Sequence, residues 1–218
     1  MYRLNFSAVL DRVDLFIQGI GMTIYVSVIS MAVAIVIGLV IALMRMAKAA
    51  PLQILGRGYV RLFRGVPLYV YIIWVYYGLA MLLGIKFRPI EAGVFCLSTL
   101  YGAYLAEIDR GALQSIAKEQ SQAALSLGLT PVQTFWDVIL PQAVRIIIPP
   151  TTNLFAVMLM DSSLVSVIGV MELMRLTKVG ASETFRAFEF YTTGAIIYVV
   201  LVLLVSRASR YLEQRYKF

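Results

Sequence analysis

The polar side chains that could do chemistry in this sequence lie inside an apolar run. Residues 146–170 contain an asparagine after Pro149-Pro150 and then an acid followed by two serines. A carboxylate is costly to bury in such a run and commonly contacts a solute. The structural alternative is that the acid bonds to backbone or to its serines, and that the asparagine bonds to carbonyls released by the prolines. The candidates for a substrate path are Asn153, Asp161, Ser162 and Ser163.

The sequence contains none of the usual catalytic arrangements. It has no histidine and one cysteine, Cys96, which excludes an intramolecular disulfide framework and removes the commonest metal ligand. It also lacks a glycine-rich phosphate loop that ends in Gly-Lys-Ser/Thr. We therefore expect a chain that is not an enzyme and that binds no metal or cofactor itself. Any energy for its work then comes from a partner.

The composition is that of an integral membrane protein. Of the 218 residues, 61% are hydrophobic and only 14% are charged, with a mean hydropathy of +0.84. A soluble domain of this length is closer to half apolar and a quarter charged. We predict a single all-α membrane domain over residues 1–218. In a membrane protein the distribution of the basic residues matters more than the net charge of +7, which gives no reason to expect a nucleic-acid partner.

Five apolar runs are long enough, or nearly so, to cross a bilayer. An odd number of spans places the two termini on opposite sides. If the segment after the first span is cytoplasmic, that side collects 12 of the 19 basic residues, which puts the N-terminus outside and the C-terminus in the cytoplasm. The predicted spans are about 17–44, 66–83, 90–106, 146–170 and 191–206, with a cytoplasmic loop at 111–141.

This loop has the pattern of two short helices joined at a glycine. Good helix formers end at Gly128, and Thr130-Pro131 provides a helix N-cap followed by a proline at the first helical position. Ala123 and Ala124 are small, so a helix face that bears them could enter a groove of another protein. The alternative is an ordinary amphipathic cytoplasmic loop.

The loop reads QAALSLG at 122–128 and ILP at 139–141. With these runs the sequence resembles the permeases of ATP-binding-cassette importers, and in particular those for polar amino acids. The cytoplasmic motif of that family is Glu-Ala-Ala, three residues, glycine and, further on, Ile-x-Leu-Pro. Further matching runs are spread over most of the chain. They are FRGVPL at 63–68, YLAEIDRGA at 104–112, LPQA at 140–143 and SSLVSVIG at 162–169.

The resemblance implies a type I importer fold with five spans, similar to the histidine, glutamine and arginine permeases, in a bacterial inner membrane. It implies a dimer of ATPase subunits that binds ATP and Mg²⁺, an external substrate-binding protein, an amino acid substrate, membrane lipid and a second permease subunit. The coupling helix would dock in a cleft of the ATPase, so that ATP binding favours one global state of the spans. The residues that the motif assigns to coupling are Gln122, Ala123, Ala124, Leu125 and Gly128.

Three positions depart from the family pattern. Gln122 replaces the motif glutamate, which keeps hydrogen bonding but loses the charge. Met160 stands where relatives often have a lysine, and Leu154 stands where relatives that bind cationic amino acids often have an acid. We therefore expect the second permease subunit to be a different chain, with a homodimer as the alternative. Rival functions are a secondary transporter or channel that does not use ATP, and a membrane scaffold.

Overall fold

The computed structural model describes residues 4–116 and 118–216, and this part of the chain is helical, without strands. Two segments are π-helical, Trp74–Gly78 and Thr134–Ile139, and Ser162–Ile168 is a 3-10 helix. The α-helices are α1 (Ser7–Leu10), α2 (Val13–Met46), α3 (Ala50–Gly65), α4 (Leu68–Ile73), α5 (Leu79–Leu83), α6 (Pro89–Ser115), α7 (Lys118–Ser126), α8 (Pro131–Gln133), α9 (Leu140–Asp161), α10 (Leu173–Thr184) and α11 (Ala187–Tyr216).

Three helical segments of the described chain are long and apolar enough to cross a membrane: Val13–Met46, Pro131–Ile168 and Ala187–Tyr211. A fourth crossing is added if the broken helix Ala50–Gly65 plus Leu68–Leu83 counts as one span. The predicted third span, 90–106, lies within α6, which does not meet the same criterion of apolarity. The all-α membrane fold is confirmed, whereas the count of five spans stays a prediction.

The described chain divides into two compact units. The first unit comprises residues 4–33, 66–98 and 155–205, and the second comprises 34–65, 99–116, 118–154 and 206–216. In the first unit the rings of Phe16 and Phe190 stack with their centroids 5.8 Å apart. Val9, Leu173 and Ala181 complete this buried core.

A buried acid, Glu172, begins α10 in the first unit. Its carboxylate accepts hydrogen bonds from the backbone N–H groups of Met174 (2.8 Å) and Arg175 (2.7 Å) and from the hydroxyl of Tyr198 (2.7 Å). The hydroxyl of Thr23 accepts the N–H of Leu173 beside it. The side chain of Glu172 is fully buried, and as the N-cap it satisfies N–H groups at the start of the helix.

The second unit packs α3 against other helices through one face. Val60 and Gly56 are buried, whereas Arg57 and Arg61 are exposed. The hydroxyl of Tyr59 donates to the carbonyl of Thr99 over 2.7 Å. The charge pattern that oriented the chain did not predict this helix. The core here consists of Ile41, Val60, Ala103 and Ala106.

Candidate functional site

The first helix of the predicted loop, α7, ends in a turn whose backbone groups are hydrogen-bonded to each other. Gly128 has a φ of +85°, which residues with a side chain rarely adopt. Its N–H donates to the carbonyl of Leu125 (3.0 Å), and the N–H of Leu129 donates to the carbonyl of Ala124 (3.2 Å). This pair of bonds is the Schellman motif. The predicted stop at Gly128 is confirmed.

The second helix of the predicted loop, α8, starts with a complete capping box. The hydroxyl of Thr130 accepts the N–H of Gln133 (3.3 Å), and the side-chain oxygen of Gln133 accepts the N–H of Thr130 (2.9 Å). Pro131 occupies the first helical position, where its missing N–H costs nothing. The predicted N-cap is confirmed. The turn is therefore a defined structure that holds its shape with its own residues.

The turn buries one of its two motif alanines and exposes the other. Ala124 is buried within the second unit, whereas Ala123, Gln122 and Leu125 are exposed. Ala124 therefore packs inside the turn, contrary to the expectation that both alanines present a face to a partner, because α7 lies against the π-helical segment Thr134–Ile139.

An exposed apolar surface surrounds the turn. Three side chains make up this coupling surface, and each is more than half exposed: Leu127 (84%), Val132 (67%) and Trp136 (61%). Three large exposed apolar side chains on a hydrogen-bonded turn have the composition of a protein-binding site.

A cluster of arginines around Glu107 lies in the same unit as the turn. Arg45 lies 2.7 Å from one carboxylate oxygen of Glu107, and Arg110 donates to the other oxygen from Nη2 (3.0 Å) and Nε (3.2 Å). Arg64 is 3.9 Å from Glu107 and lies over the ring of Tyr104, 4.8 Å from its centroid. Glu107 and Arg110 lie three residues apart on α6, a spacing that favours such a pair, and one acid joins α2, α3 and α6.

The cluster depends on charge and on a close approach. Burial alone would raise the pKa of Glu107, but hydrogen bonds and charges from Arg45 and Arg110 outweigh it and hold the pKa below its usual 4.5. Gly56 of α3 makes room for Arg45, because a Cβ at this position would lie 2.6 Å from Cγ of Arg45. The carboxylate therefore stays ionised and fixes its three partners at neutral pH.

The candidate substrate-path residues fall in both units. In the second unit, Asn153 is exposed on α9, and Thr152 rather than Asn153 bonds to helix carbonyls, donating to Ile148 (3.1 Å) and Pro149 (2.9 Å). In the first unit, Asp161 is the last residue of α9 and is half-buried, as is Ser163. Ser162 is fully buried and donates to the carbonyl of Leu159 over 2.7 Å. Their part in a substrate path stays a prediction.

Two features of the second unit were not predicted from the sequence. Arg45 is 62 residues from Glu107 in the chain, so the sequence pattern indicated only the local partner, Arg110. Asp109 is buried on the same face of α6 as Leu105 and Leu113, which are each four residues away. An acid within an apolar stripe at helical spacing is the signal that could have identified it.

Comparison with known proteins gives the same family for nearly the whole chain. Residues 34–218 match the model for the binding-protein-dependent transport system inner membrane component. The probable glutamine ABC transporter permease protein GlnM of Bacillus subtilis is 35% identical over 212 residues, which cover 97% of this chain and 98% of GlnM. The glutamine transport system permease protein GlnP of Escherichia coli K12 is 35% identical over 98% of both chains.

The fold agrees with solved transporters. A chain from the crystal structure of an amino acid ABC transporter with histidines is 36% identical and superimposes with a TM-score of 0.92, covering 98% of this chain and all of that one. A chain of the MetNI methionine ABC transporter, at 19% identity and a TM-score of 0.80, shares the fold. The chain therefore belongs to the family of inner membrane components of binding-protein-dependent transport systems and is a multi-pass, non-catalytic permease subunit of an ABC importer.

Proposed function

We propose that this chain is the permease subunit of an ATP-driven importer of polar amino acids and that it couples to a separate ATPase dimer through residues 122–128. The coupling role is supported by the exposed apolar coupling surface, which lies on a turn whose backbone groups are hydrogen-bonded within the turn. The substrate class is supported by the glutamine and amino acid permeases that are similar to this chain over nearly its full length.

The coupling surface suits an ATPase cleft for a physical reason. Burying Leu127, Val132 and Trp136 would remove a large apolar area from water, at about 25 cal/mol per Å². A rigid turn adds little ordering cost on binding, so more of that gain appears as affinity. ATP and Mg²⁺ would be bound by the ATPase, and the turn would transmit the preference of ATP for one global state.

The remaining partners follow from the charge bias and from the departures at Met160 and Leu154. We place the N-terminus outside and the C-terminus in the cytoplasm of a bacterial inner membrane, with membrane lipid around the spans. An external substrate-binding protein delivers the amino acid. A different permease chain completes the pair and supplies ligand contacts that this chain lacks, while Asn153, Asp161, Ser162 and Ser163 line its side of the path.

Reconstitution in proteoliposomes tests this function. The chain, its ATPase, its partner permease and the binding protein are combined, and uptake of labelled L-glutamine is measured with ATP inside the vesicles. We expect uptake that requires ATP hydrolysis and persists when ion gradients are collapsed. Uptake driven by an ion gradient without ATP would instead identify a secondary transporter.

A pair of substitutions at one position tests the coupling surface. Leu127→Asp places a charge in the apolar contact, and we expect at least a tenfold loss in affinity for the ATPase and a matching loss of uptake. Leu127→Met keeps an apolar side chain and should retain both within about twofold. Gln122→Glu restores the family's charge and should strengthen ATPase binding if the cleft offers a cation. Equal binding by the Asp and Met variants would refute the docking role of the coupling surface.

A further inference from the structure

A cavity of about 360 Å³ lies within the second unit, between α2, α6 and α9. Its walls are mostly apolar and consist of leucine and isoleucine side chains. Three polar residues also line it: Asp109, Thr151 and Thr152. Pockets that bind small molecules have this volume and this composition, with a few placed polar groups in an apolar lining.

Asp109 has no counter-charge within the described chain. Its side chain is only 6% exposed, and no hydrogen bond or ion pair joins it to any residue that the structure describes. The residue follows the predicted third span, which ends at 106, and burial raises the pKa of its carboxyl to about 6. The group is therefore mostly ionised at neutral pH, and a buried anion of this kind is unstable without a cation.

The two threonines beside it differ in whether their hydroxyls already form hydrogen bonds. Thr152 uses its hydroxyl on the carbonyls of Ile148 and Pro149 and on Ser209. The hydroxyl oxygen of Thr151 is buried and has no hydrogen-bond partner in the part of the chain described. Asp109 therefore lines an apolar cavity beside Thr151, whose unpartnered hydroxyl is buried in the wall, and both groups can accept hydrogen bonds.

Two acceptors without a hydrogen-bond donor indicate the chemistry of a ligand that would fit here. An anion is excluded by the Asp109 carboxylate. A hard metal ion is coordinated by six or more oxygen ligands. The described residues contain no group of three acidic, histidine or cysteine side chains that could hold a metal. A primary ammonium offers one charge and three donors, and an aliphatic chain attached to it matches the isoleucine and leucine walls.

We propose that this cavity binds a primary ammonium group carried on a short aliphatic chain, with the Asp109 carboxylate and the Thr151 hydroxyl as its hydrogen-bond acceptors. The inference concerns this chain's own cavity and does not rest on what the transporter carries. Such an ammonium could come from a free amino acid or from the ethanolamine headgroup of a lipid, and the experiment separates these two sources.

The test uses the purified transporter complex in phosphatidylcholine nanodiscs, with n-propylammonium chloride as the probe. At a hundredfold excess over its Kd, the probe should raise the unfolding midpoint of the permease by roughly 5 °C. Neutral n-propanol and tetramethylammonium, which has no N–H donor, should not raise it. A crystal soaked with 3-bromopropylammonium should show the bromine anomalous signal within the cavity.

Matched variants assign the effect to the cavity. Asp109→Asn keeps the shape and removes the charge, so it should fold and should abolish the shift. Thr151→Val keeps the volume and should weaken binding several-fold. Glu91→Gln removes an exposed acid of the first unit and should leave the shift unchanged. An equal shift in Asp109→Asn and the wild type, or a bromine signal outside the cavity, overturns the proposal.

Two further arms identify the source of the ammonium group. In phosphatidylcholine nanodiscs, a midpoint raised by L-lysine or L-glutamine, and lost in Asp109→Asn, supports an amino acid ligand. A midpoint raised by replacing the lipid with phosphatidylethanolamine, with the same loss, supports the headgroup. If neither arm produces a shift, n-propylammonium binds only at high concentration and the proposal fails.

Discussion

Each unit of this permease contains a buried acid, and the two acids differ in whether they have hydrogen-bond partners. Glu172 of the first unit accepts hydrogen bonds from two backbone N–H groups and from the hydroxyl of Tyr198. Asp109 of the second unit has no such partner among the described residues. Burial raises the pKa of both acids, but only Glu172 has hydrogen bonds that oppose the rise. The first acid stabilises the fold, whereas the second leaves a place for another molecule.

Replacing each acid with alanine should give the largest difference between them in the free energy of unfolding. Glu172→Ala leaves two N–H groups and a tyrosine hydroxyl without their acceptor, and we expect a loss of about 3–5 kcal/mol in the free energy of unfolding. Asp109→Ala removes an unpaired charge and should cost less than about 1 kcal/mol. Denaturation of the purified complex in detergent measures both. Equal losses in the two variants would contradict the comparison.

Glu107 tests an acid that has charged partners. Glu107→Gln removes the counter-charge of Arg45, whose side chain is 13% exposed, and we expect a loss of about 1–3 kcal/mol because the site is only partly buried. The control is Glu91→Gln, which breaks the exposed pair with Arg88 and should cost at most about 0.5 kcal/mol. The same denaturation experiment applies. A cost for Glu107→Gln as small as that of its control would show that the arginine cluster does not hold α2, α3 and α6.

The turn at Gly128 provides a third comparison, because its backbone N–H groups are hydrogen-bonded within the second unit. Gly128→Ala places a side chain at a φ of +85° and should cost about 1 kcal/mol, although nothing lies within 4 Å of the added Cβ. Gly111→Ala adds the same atom in open space on α6 and should stabilise by about 0.5–1 kcal/mol. Affinity for the ATPase should fall only in the first variant. Equal affinity in the two would separate ATPase binding from the geometry of the turn.

The pH dependence of stability tests the titration of Asp109. Folding raises the pKa of Asp109 from 3.8 to about 6. The protonated acid therefore contributes to the free energy of unfolding in full at a pH below 3.8, and this contribution is lost as the pH rises through about 6. Asp109→Asn should therefore gain stability relative to the wild type over this range and keep a constant difference above it. Glu107 on α6 titrates below its usual 4.5, and the residues of α2 and α9 that line the cavity with Asp109 are uncharged: Ile35, Ile147, Ile148, Thr151 and Thr152. A difference that does not change with pH would show that Asp109 titrates normally.

The features predicted from the sequence are local ones. Gly128, Thr130 and Pro131 specify the turn through the conformations that each residue prefers, and the structure confirms it. The pairing of Glu107 with Arg110 follows from their spacing of three residues on a helix. The membrane class and the permease family were also predicted correctly, because composition and motifs are spread over the whole chain.

The features that were missed depend on packing. Arg45 reaches Glu107 beside Gly56, where a Cβ would lie 2.6 Å from Cγ of Arg45, and no sequence spacing encodes that approach. Ala124 is buried because α7 lies against Thr134–Ile139, so the small side chain serves the turn itself. The unpaired state of Asp109 depends on three helices that are distant in the sequence. Such contacts require the tertiary structure.

The most direct test of the account is a cross-link from the coupling surface. Leu127→Cys, in a chain with Cys96→Ala, is labelled with a benzophenone maleimide and irradiated in the assembled transporter, and the adducts are identified by mass spectrometry. Phe185→Cys is the matched control, since Phe185 is 88% exposed but lies in a segment predicted to be outside. We predict an adduct with the ATPase from position 127 and none from position 185. An active transporter with no ATPase adduct at position 127 would contradict the account.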